Sequence, residues 1–106
     1  MILHLWWYIQ QLPEPDITVF VHLYDETGQL VTQADGYPLL GLFPPSEWQT
    51  RDIVHDLRYL ALPASLADGR YSIVVGWYSP TTGDRLPALD RQGQLAPDGA
   101  IQVFPP

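Results

Sequence analysis

The sequence predicts an all-β fold, an immunoglobulin-like antiparallel β-sandwich of about seven strands. Eleven Pro and eight Gly recur along 106 residues, which leaves little room for helices longer than two or three turns. Tyr71, Ile73, Val75 and Trp77 alternate with Ser72, Val74, Gly76 and Tyr78, the period of a strand with one face in a core. Just before this strand, Asp68-Gly69-Arg70-Tyr71 is typical of a tyrosine corner, in which a Tyr hydroxyl bonds to upstream backbone.

Six further strands are predicted around this central one, with turns at the spacing of a sandwich. They are residues 3–9, 17–24, 30–33, 53–62, 85–89 and 100–104. Asp25-Glu26-Thr27-Gly28 is predicted to be the tight turn of a hairpin, because Asp and Gly favour turn geometry. Prolines between residues 37 and 49 indicate an irregular connection.

The predicted core combines the inner residues of several strands: Leu5, Trp7, Val19, Val21, Leu23, Leu60, Tyr71, Ile73 and Val75. The strand at residues 53–62 leaves its orientation open, because neither face is cleanly polar. One face carries Val54, Asp56, Arg58, Leu60 and Leu62, and the other carries Ile53, His55, Leu57, Tyr59 and Ala61.

The length of the chain predicts a single domain over residues 1–106, with one core. Strand-like residues begin directly after Met1, which predicts that the chain is a fragment of a longer protein. Residues 1–9 are too short to span a bilayer and lack the features of a signal peptide. No membrane insertion is therefore expected of this stretch.

The charge argues against nucleic acid as a partner. The net charge is −7, with five Arg and no Lys, whereas binding to a phosphate backbone requires clustered cations. The acidic residues are scattered along the chain, which is typical of a solvated surface.

Catalytic and metal-binding patterns have little support. No Ser lies in a Gly-x-Ser-x-Gly elbow, so no catalytic residue is predicted. Asp52, His55 and Asp56 are close in sequence, but on a strand His55 and Asp56 point to opposite faces. No metal site and no cofactor are therefore predicted, and a small metal-dependent hydrolase is the least favoured function.

An aromatic constellation is the main candidate for a functional surface. If the first two strands pair, His4, Trp6 and Tyr8 lie beside Phe20, His22 and Tyr24 on the face away from the core. Aromatic faces with polar edges bind partner proteins or stack on sugar rings. Two other interpretations stay open: residues 37–48 cover this face, or the inner and outer faces are exchanged.

A succession of motifs also carries a family resemblance. It runs through Thr18-Val19-Phe20-Val21-His22-Leu23-Tyr24-Asp25, residues 28–38, Trp48, Leu62-Pro63, Asp68-Gly69-Arg70-Tyr71, Val75-Gly76-Trp77-Tyr78 and Thr82-Gly83-Asp84-Arg85-Leu86. It resembles an extracytoplasmic β-sandwich module of Chloroflexus-type bacteria, similar to the C-terminal tail of polytopic membrane glycosyltransferases of the protein-mannosyltransferase type. The chain departs from this pattern at Arg51, where Gly is expected in the turn after Trp48.

The resemblance implies a location on the extracytoplasmic face of the cell envelope, as part of a membrane protein whose active site lies elsewhere. The expected function is therefore a non-catalytic accessory or interaction module. Its expected partner is the parent membrane protein or a neighbouring envelope protein. The alternative is a carbohydrate-binding module that uses the aromatic constellation and takes a glycan as ligand.

Overall fold

The computed structural model describes residues 1–13, 16–36 and 45–105, and these form two antiparallel β-sheets. The six strands are β1 (Ile2–Tyr8), β2 (Thr18–Tyr24), β3 (Leu30–Gln33), β4 (Ile53–Tyr59), β5 (Ser72–Tyr78) and β6 (Ile101–Phe104). The described residues contain two short 3-10 turns, Pro45–Glu47 and Pro97–Gly99, but no α-helix. None of their helical segments is long and apolar enough to cross a membrane.

The two sheets differ in width. β1 and β4 form a two-stranded sheet, and the other sheet has four strands in the order β3-β2-β5-β6. Every second residue of β1, β2 and β5 belongs to the core cluster or packs against it, so each strand turns one row of side chains toward the opposite sheet. The all-β sandwich class predicted from the sequence is confirmed, with six strands rather than seven.

The core between the sheets is the one that the sequence predicts. Leu5 and Leu60 contribute from the narrow sheet and its continuation, and the wide sheet contributes Val19, Val21, Leu23, Ile73 and Val75. Trp7 and Tyr71 pack against this cluster while staying half-buried. The alternation of residues along the predicted strands therefore identified this cluster.

A second buried cluster closes one end of the sandwich. It contains Ile9, Ile17, Trp48 and Val54, with Trp7, Trp77 and Leu86 packed against it. The Trp77 ring centroid lies 5.2 Å from that of Trp7 and 5.5 Å from that of Trp48. Tilted aromatic contacts of this kind add to the stabilisation from burial alone.

The inner face of β4 carries a buried ion pair. Val54, Asp56 and Arg58 point inward, and the Arg58 Nε donates to Asp56 Oδ2 at 3.1 Å. Asp56 also accepts a hydrogen bond from the Trp7 indole at 3.3 Å. Arg58 Nη2 donates to the carbonyl of Gly36 at 3.0 Å. These bonds decide the orientation of β4 that the sequence left open.

The strand predicted at residues 85–89 does not form, which is why the described residues contain six strands instead of the predicted seven. Arg85 forms an isolated bridge with Tyr78, and Leu86 donates to the Trp77 carbonyl at 2.9 Å. Pro87 has no N–H, so the ladder cannot continue through it. The segment therefore pairs with β5 at a single bridge, and Leu89 forms a separate isolated bridge with Leu95.

The predicted local features at the turns are present. The Tyr71 hydroxyl donates to the carbonyl of Ala67, the upstream bond expected of a tyrosine corner. In the β2–β3 turn, Asp25 Oδ1 accepts from the amides of Thr27 and Gln29, both at 2.9 Å. Arg51, where the resemblance expects Gly, has a φ of 76°, in the left-handed region that glycine prefers.

Truncating the central strand in the core is expected to destabilise the fold strongly. Ile73 is 1% exposed, so Ile73→Ala removes buried methyl groups and is expected to cost about 2–5 kcal/mol in the free energy of unfolding. Ile53→Ala is the matched control, because Ile53 is 66% exposed on a strand of equal length. Chemical denaturation measures both, and equal losses would contradict the assigned core.

The buried ion pair gives a second stability prediction. Arg58→Met or Asp56→Leu alone removes one member of a buried ion pair whose charged atoms lie 3.1 Å apart, which is expected to cost about 3–5 kcal/mol. The double variant is expected to lose less than the sum of the two, because neither charge remains. A double-mutant cycle on the free energy of unfolding measures this coupling, and strictly additive losses would refute it.

Candidate functional site

The outer face of the β1–β4 sheet presents a continuous group of apolar and aromatic side chains. On β1 these are the residues that alternate with the core positions, and on β4 they are the residues opposite them in the register. Trp6 is 65% exposed and Tyr59 is 70% exposed. We call this surface the aromatic face; it comprises Ile2, His4, Trp6, Tyr8, Ile53, His55, Leu57 and Tyr59.

The strand register orders the side chains at the centre of the aromatic face. It places Trp6 directly opposite His55, and the two rings stack with centroids 4.0 Å apart and an interplanar angle of 9°. His4 Nδ1 lies 2.9 Å from His55 Nε2, so one of these nitrogens donates a hydrogen bond to the other. The rings of His4, Trp6 and His55 are therefore held in place by contacts with one another in the unbound protein.

The aromatic face carries no carboxylate and no guanidinium, although the chain has a net charge of −7. The two charged residues of β4, Asp56 and Arg58, point into the sandwich instead. Desolvating this surface therefore requires the removal of water from imidazole, indole and phenol groups but from no fixed charge. Such a surface suits apolar contact and ring stacking.

The structure does not bring together the six residues of the predicted aromatic constellation. β1 pairs with β4 and not with β2, so His4, Trp6 and Tyr8 lie on the aromatic face. The other three, Phe20, His22 and Tyr24, lie on the outer side of the wide sheet. The expectation that they form one surface was wrong, because it depended on pairing between strands that are neighbours in sequence.

The outer side of the wide sheet is partly covered. Phe20 is only 1% exposed and packs over Gly76, where an added Cβ would lie 2.5 Å from its ring. The Arg85 guanidinium lies 4.5 Å from the Phe20 ring centroid, which is a cation–π contact. The segment after β5 therefore covers part of this side. The predicted cover by residues 37–48 falls largely on residues 37–44, which lie outside the described residues.

His22 lies in a shallow groove of about 220 Å³ beside this cover. Its Nδ1 is 3.1 Å from the Tyr24 hydroxyl, and its Nε2 is 3.4 Å from Asp35 Oδ1. Burial lowers the pKa of His22, and the Arg85 charge lowers it further, whereas Asp35 opposes the shift. His22 is therefore held in its neutral form over a wider range of pH than a free imidazole.

The other ionisable residues considered from the sequence do not converge. His4 and His22 lie on different sheets, and Asp56 points into the core while His55 points outward. Asp52 accepts the Gln49 amide at 2.9 Å. Within residues 1–13, 16–36 and 45–105, no group of three or more His, Asp or Glu side chains is placed to hold a metal ion.

Sequence reasoning missed the β4 half of the aromatic face. Ile53, His55, Leu57 and Tyr59 alternate with Asp56 and Arg58, and this alternation was visible but ambiguous. An Asp and an Arg two residues apart share one face of a strand and can neutralise each other there. That spacing was the signal that identifies the opposite face as the exposed one.

Comparison with known proteins gives no match at a significant level, whether with protein-family models, curated proteins or solved structures.

The lowered pKa of His22 predicts how stability depends on pH. The unfolded chain binds a proton at His22 near a pH of about 6.5, whereas the folded chain binds it only at lower pH. Stability is therefore expected to fall as the pH drops from about 7.5 to about 5.5. Urea denaturation across this range measures the effect.

His22→Gln is the control, because it removes this proton-binding difference and retains every other titratable group. The stability curve of the variant is expected to be flatter over the same pH range. Parallel curves for the wild-type protein and His22→Gln would show that burial does not shift this imidazole.

Proposed function

We propose that the chain is a non-catalytic interaction module that binds a partner protein through the aromatic face. The observation that carries this proposal is the exposure of Trp6, Tyr8, Leu57 and Tyr59 together on one sheet face that has no fixed charge. Tyr and Trp are enriched among the residues that dominate binding energy at protein interfaces. Contiguous exposed apolar patches typically mark such sites.

The size of the aromatic face supports this function. Each of its six large apolar side chains is 46% to 70% exposed. Together they offer on the order of 600–800 Å² of accessible area, close to the roughly 800 Å² that each partner buries in a standard interface. The stacked Trp6 and His55 rings also lose little conformational freedom on binding, because they are already held together.

The inferred setting is the extracytoplasmic side of the cell envelope, with the parent membrane protein or a neighbouring envelope protein as partner. The resemblance to the module of membrane glycosyltransferases supports this setting. It is carried by motifs that include Thr18-Val19-Phe20 and Asp68-Gly69-Arg70-Tyr71. In this proposal the chain has no activity of its own and contributes contact area to an assembly.

Carbohydrate binding is the second candidate function, favoured by the arrangement of rings along β1. Trp6 and Tyr8 are two residues apart on one face of the strand, which places them about 7 Å apart. Exposed rings in a row can stack on the apolar faces of successive sugar units. A glycan would therefore bind along β1, whereas a protein partner would cover both strands.

The proposed function is tested with Trp6→Asp, which places a charge at the centre of the aromatic face. Immobilised wild-type protein is expected to capture a defined partner from an extract of the source organism. Trp6→Asp is expected to reduce that capture at least about tenfold, the loss typical of a central aromatic contact. Leu95→Asp is the matched control, because Leu95 is 67% exposed but lies outside the aromatic face.

Three outcomes decide between the candidate functions. Loss of a captured protein in Trp6→Asp with retention in Leu95→Asp supports the protein-binding module. Equal capture by all three proteins would refute it. Binding of the wild-type protein to a glycan array that disappears in Trp6→Asp would favour the carbohydrate-binding module instead.

A further inference from the structure

Among the described residues, no backbone group is paired with the outer edge of β1, the edge away from β4. Met1 and Leu60 exchange hydrogen bonds in both directions, at 3.0 and 2.8 Å, and Ile9 donates to the Asp52 carbonyl at 3.0 Å. Bonded and non-bonded pairs alternate in an antiparallel ladder, so the odd-numbered residues of β1 bond to β4. The N–H and C=O groups of the even-numbered residues, Ile2, His4, Trp6 and Tyr8, therefore point away from β4.

No strand in the described ranges pairs with this edge of β1. Proteins usually protect an exposed edge with Lys, Pro, a β-bulge or an inward-pointing charge. Residues 1–12 contain no charged residue, no Pro and no Gly, and the register of β1 with β4 is continuous. β1 thus has none of these protective features.

The outer edge of β4 differs in this respect. β4 carries two inward-pointing charged residues, Asp56 and Arg58, in the middle of the strand. Charges of this kind disfavour pairing with a further strand, because the incoming strand must pack beside them. Of the two edges of the narrow sheet, β1 is therefore the one suited to accept another strand.

We propose that β1 pairs antiparallel with β1 of a second copy of the chain, which joins two narrow sheets into one sheet of four strands. The contact uses the backbone edge of β1, so it is distinct from the binding through side chains proposed above. A two-fold axis at the centre of β1 places His4 opposite Trp6 of the second copy and Ile2 opposite its Tyr8. The outward-pointing groups of the four even-numbered residues then form about eight hydrogen bonds between the copies.

The chemistry of β1 favours a copy of itself as the incoming strand. Cross-strand pairs of Trp with His and of Tyr with Ile are favourable on a sheet face, whereas like charges placed opposite each other are not. Although each copy carries a net charge of −7, residues 1–12 contribute none of it. The pairing also matches the four-strand width of the other sheet and makes the aromatic faces of the two copies continuous.

The test uses His4→Pro and His4→Ala as a matched pair. His4→Pro removes an N–H that points to the outer edge and leaves the ladder with β4 intact, which is the edge position that Pro tolerates. His4→Ala loses the same imidazole but retains the N–H. Sedimentation equilibrium between about 1 and 100 μM measures the mass of each protein.

The wild-type protein and His4→Ala are expected to reach twice the 12.0 kDa mass of one chain, and His4→Pro to stay near that mass. A monomeric wild-type protein over the whole range would overturn the proposal. So would a dimer that survives in His4→Pro but dissociates in Trp6→Asp, because that dimer would pack through the aromatic faces.

Hydrogen exchange on the wild-type protein gives a readout that does not depend on a variant folding. The amides of His4 and Trp6 are expected to exchange at least about tenfold more slowly as concentration rises through the dimerisation range, whereas those of His55 and Leu57 are not. Protection of the β4 amides instead of the β1 amides would place the contact on the other edge and overturn the proposal.

Discussion

The Asp56–Arg58 ion pair is the interaction on which the arrangement of this sandwich depends. It lies on the inner face of the narrow sheet, and Arg58 also bonds to the Gly36 carbonyl. Gly36 in turn exchanges backbone hydrogen bonds with Val19 of β2, so the pair connects one sheet to the other. Because side chains alternate along a strand, turning Asp56 and Arg58 inward turns Leu57 and Tyr59 outward. The buried charges thus determine which side of β4 meets solvent.

Much of the fold could be predicted from local patterns, and the exceptions have physical reasons. The alternation around Ile73 identified the central strand and its core, because period-two burial is a local signal. The segment after Tyr78 was predicted to be a strand, although Pro87 ends its ladder after one bridge. The face of β4 stayed ambiguous, since the mutual neutralisation of two charges is a property of a folded pair and not of either residue.

The candidate site was half predicted. His4, Trp6 and Tyr8 were identified as outward-facing, and the structure exposes them, but their partners are on β4, about fifty positions away along the chain. Pairing over such a distance leaves no periodic signal in either strand. Phe20 was expected to be exposed because, like Trp6, it alternates with the core residues of its strand. It is buried because Gly76, on the neighbouring strand, leaves space for its ring and Arg85 lies over the ring. Both contacts depend on tertiary structure.

The distribution of the four tryptophans divides the molecule into two optical environments. Trp7, Trp48 and Trp77 are grouped at one end of the sandwich, whereas Trp6 lies in solvent and stacks on an imidazole. Fluorescence from the grouped indoles reports the packing of the interior, and fluorescence from Trp6 reports contact at the surface. The intrinsic emission of the unlabelled protein therefore contains separate signals for folding and for surface occupancy, and a variant without Trp6 isolates the first of them.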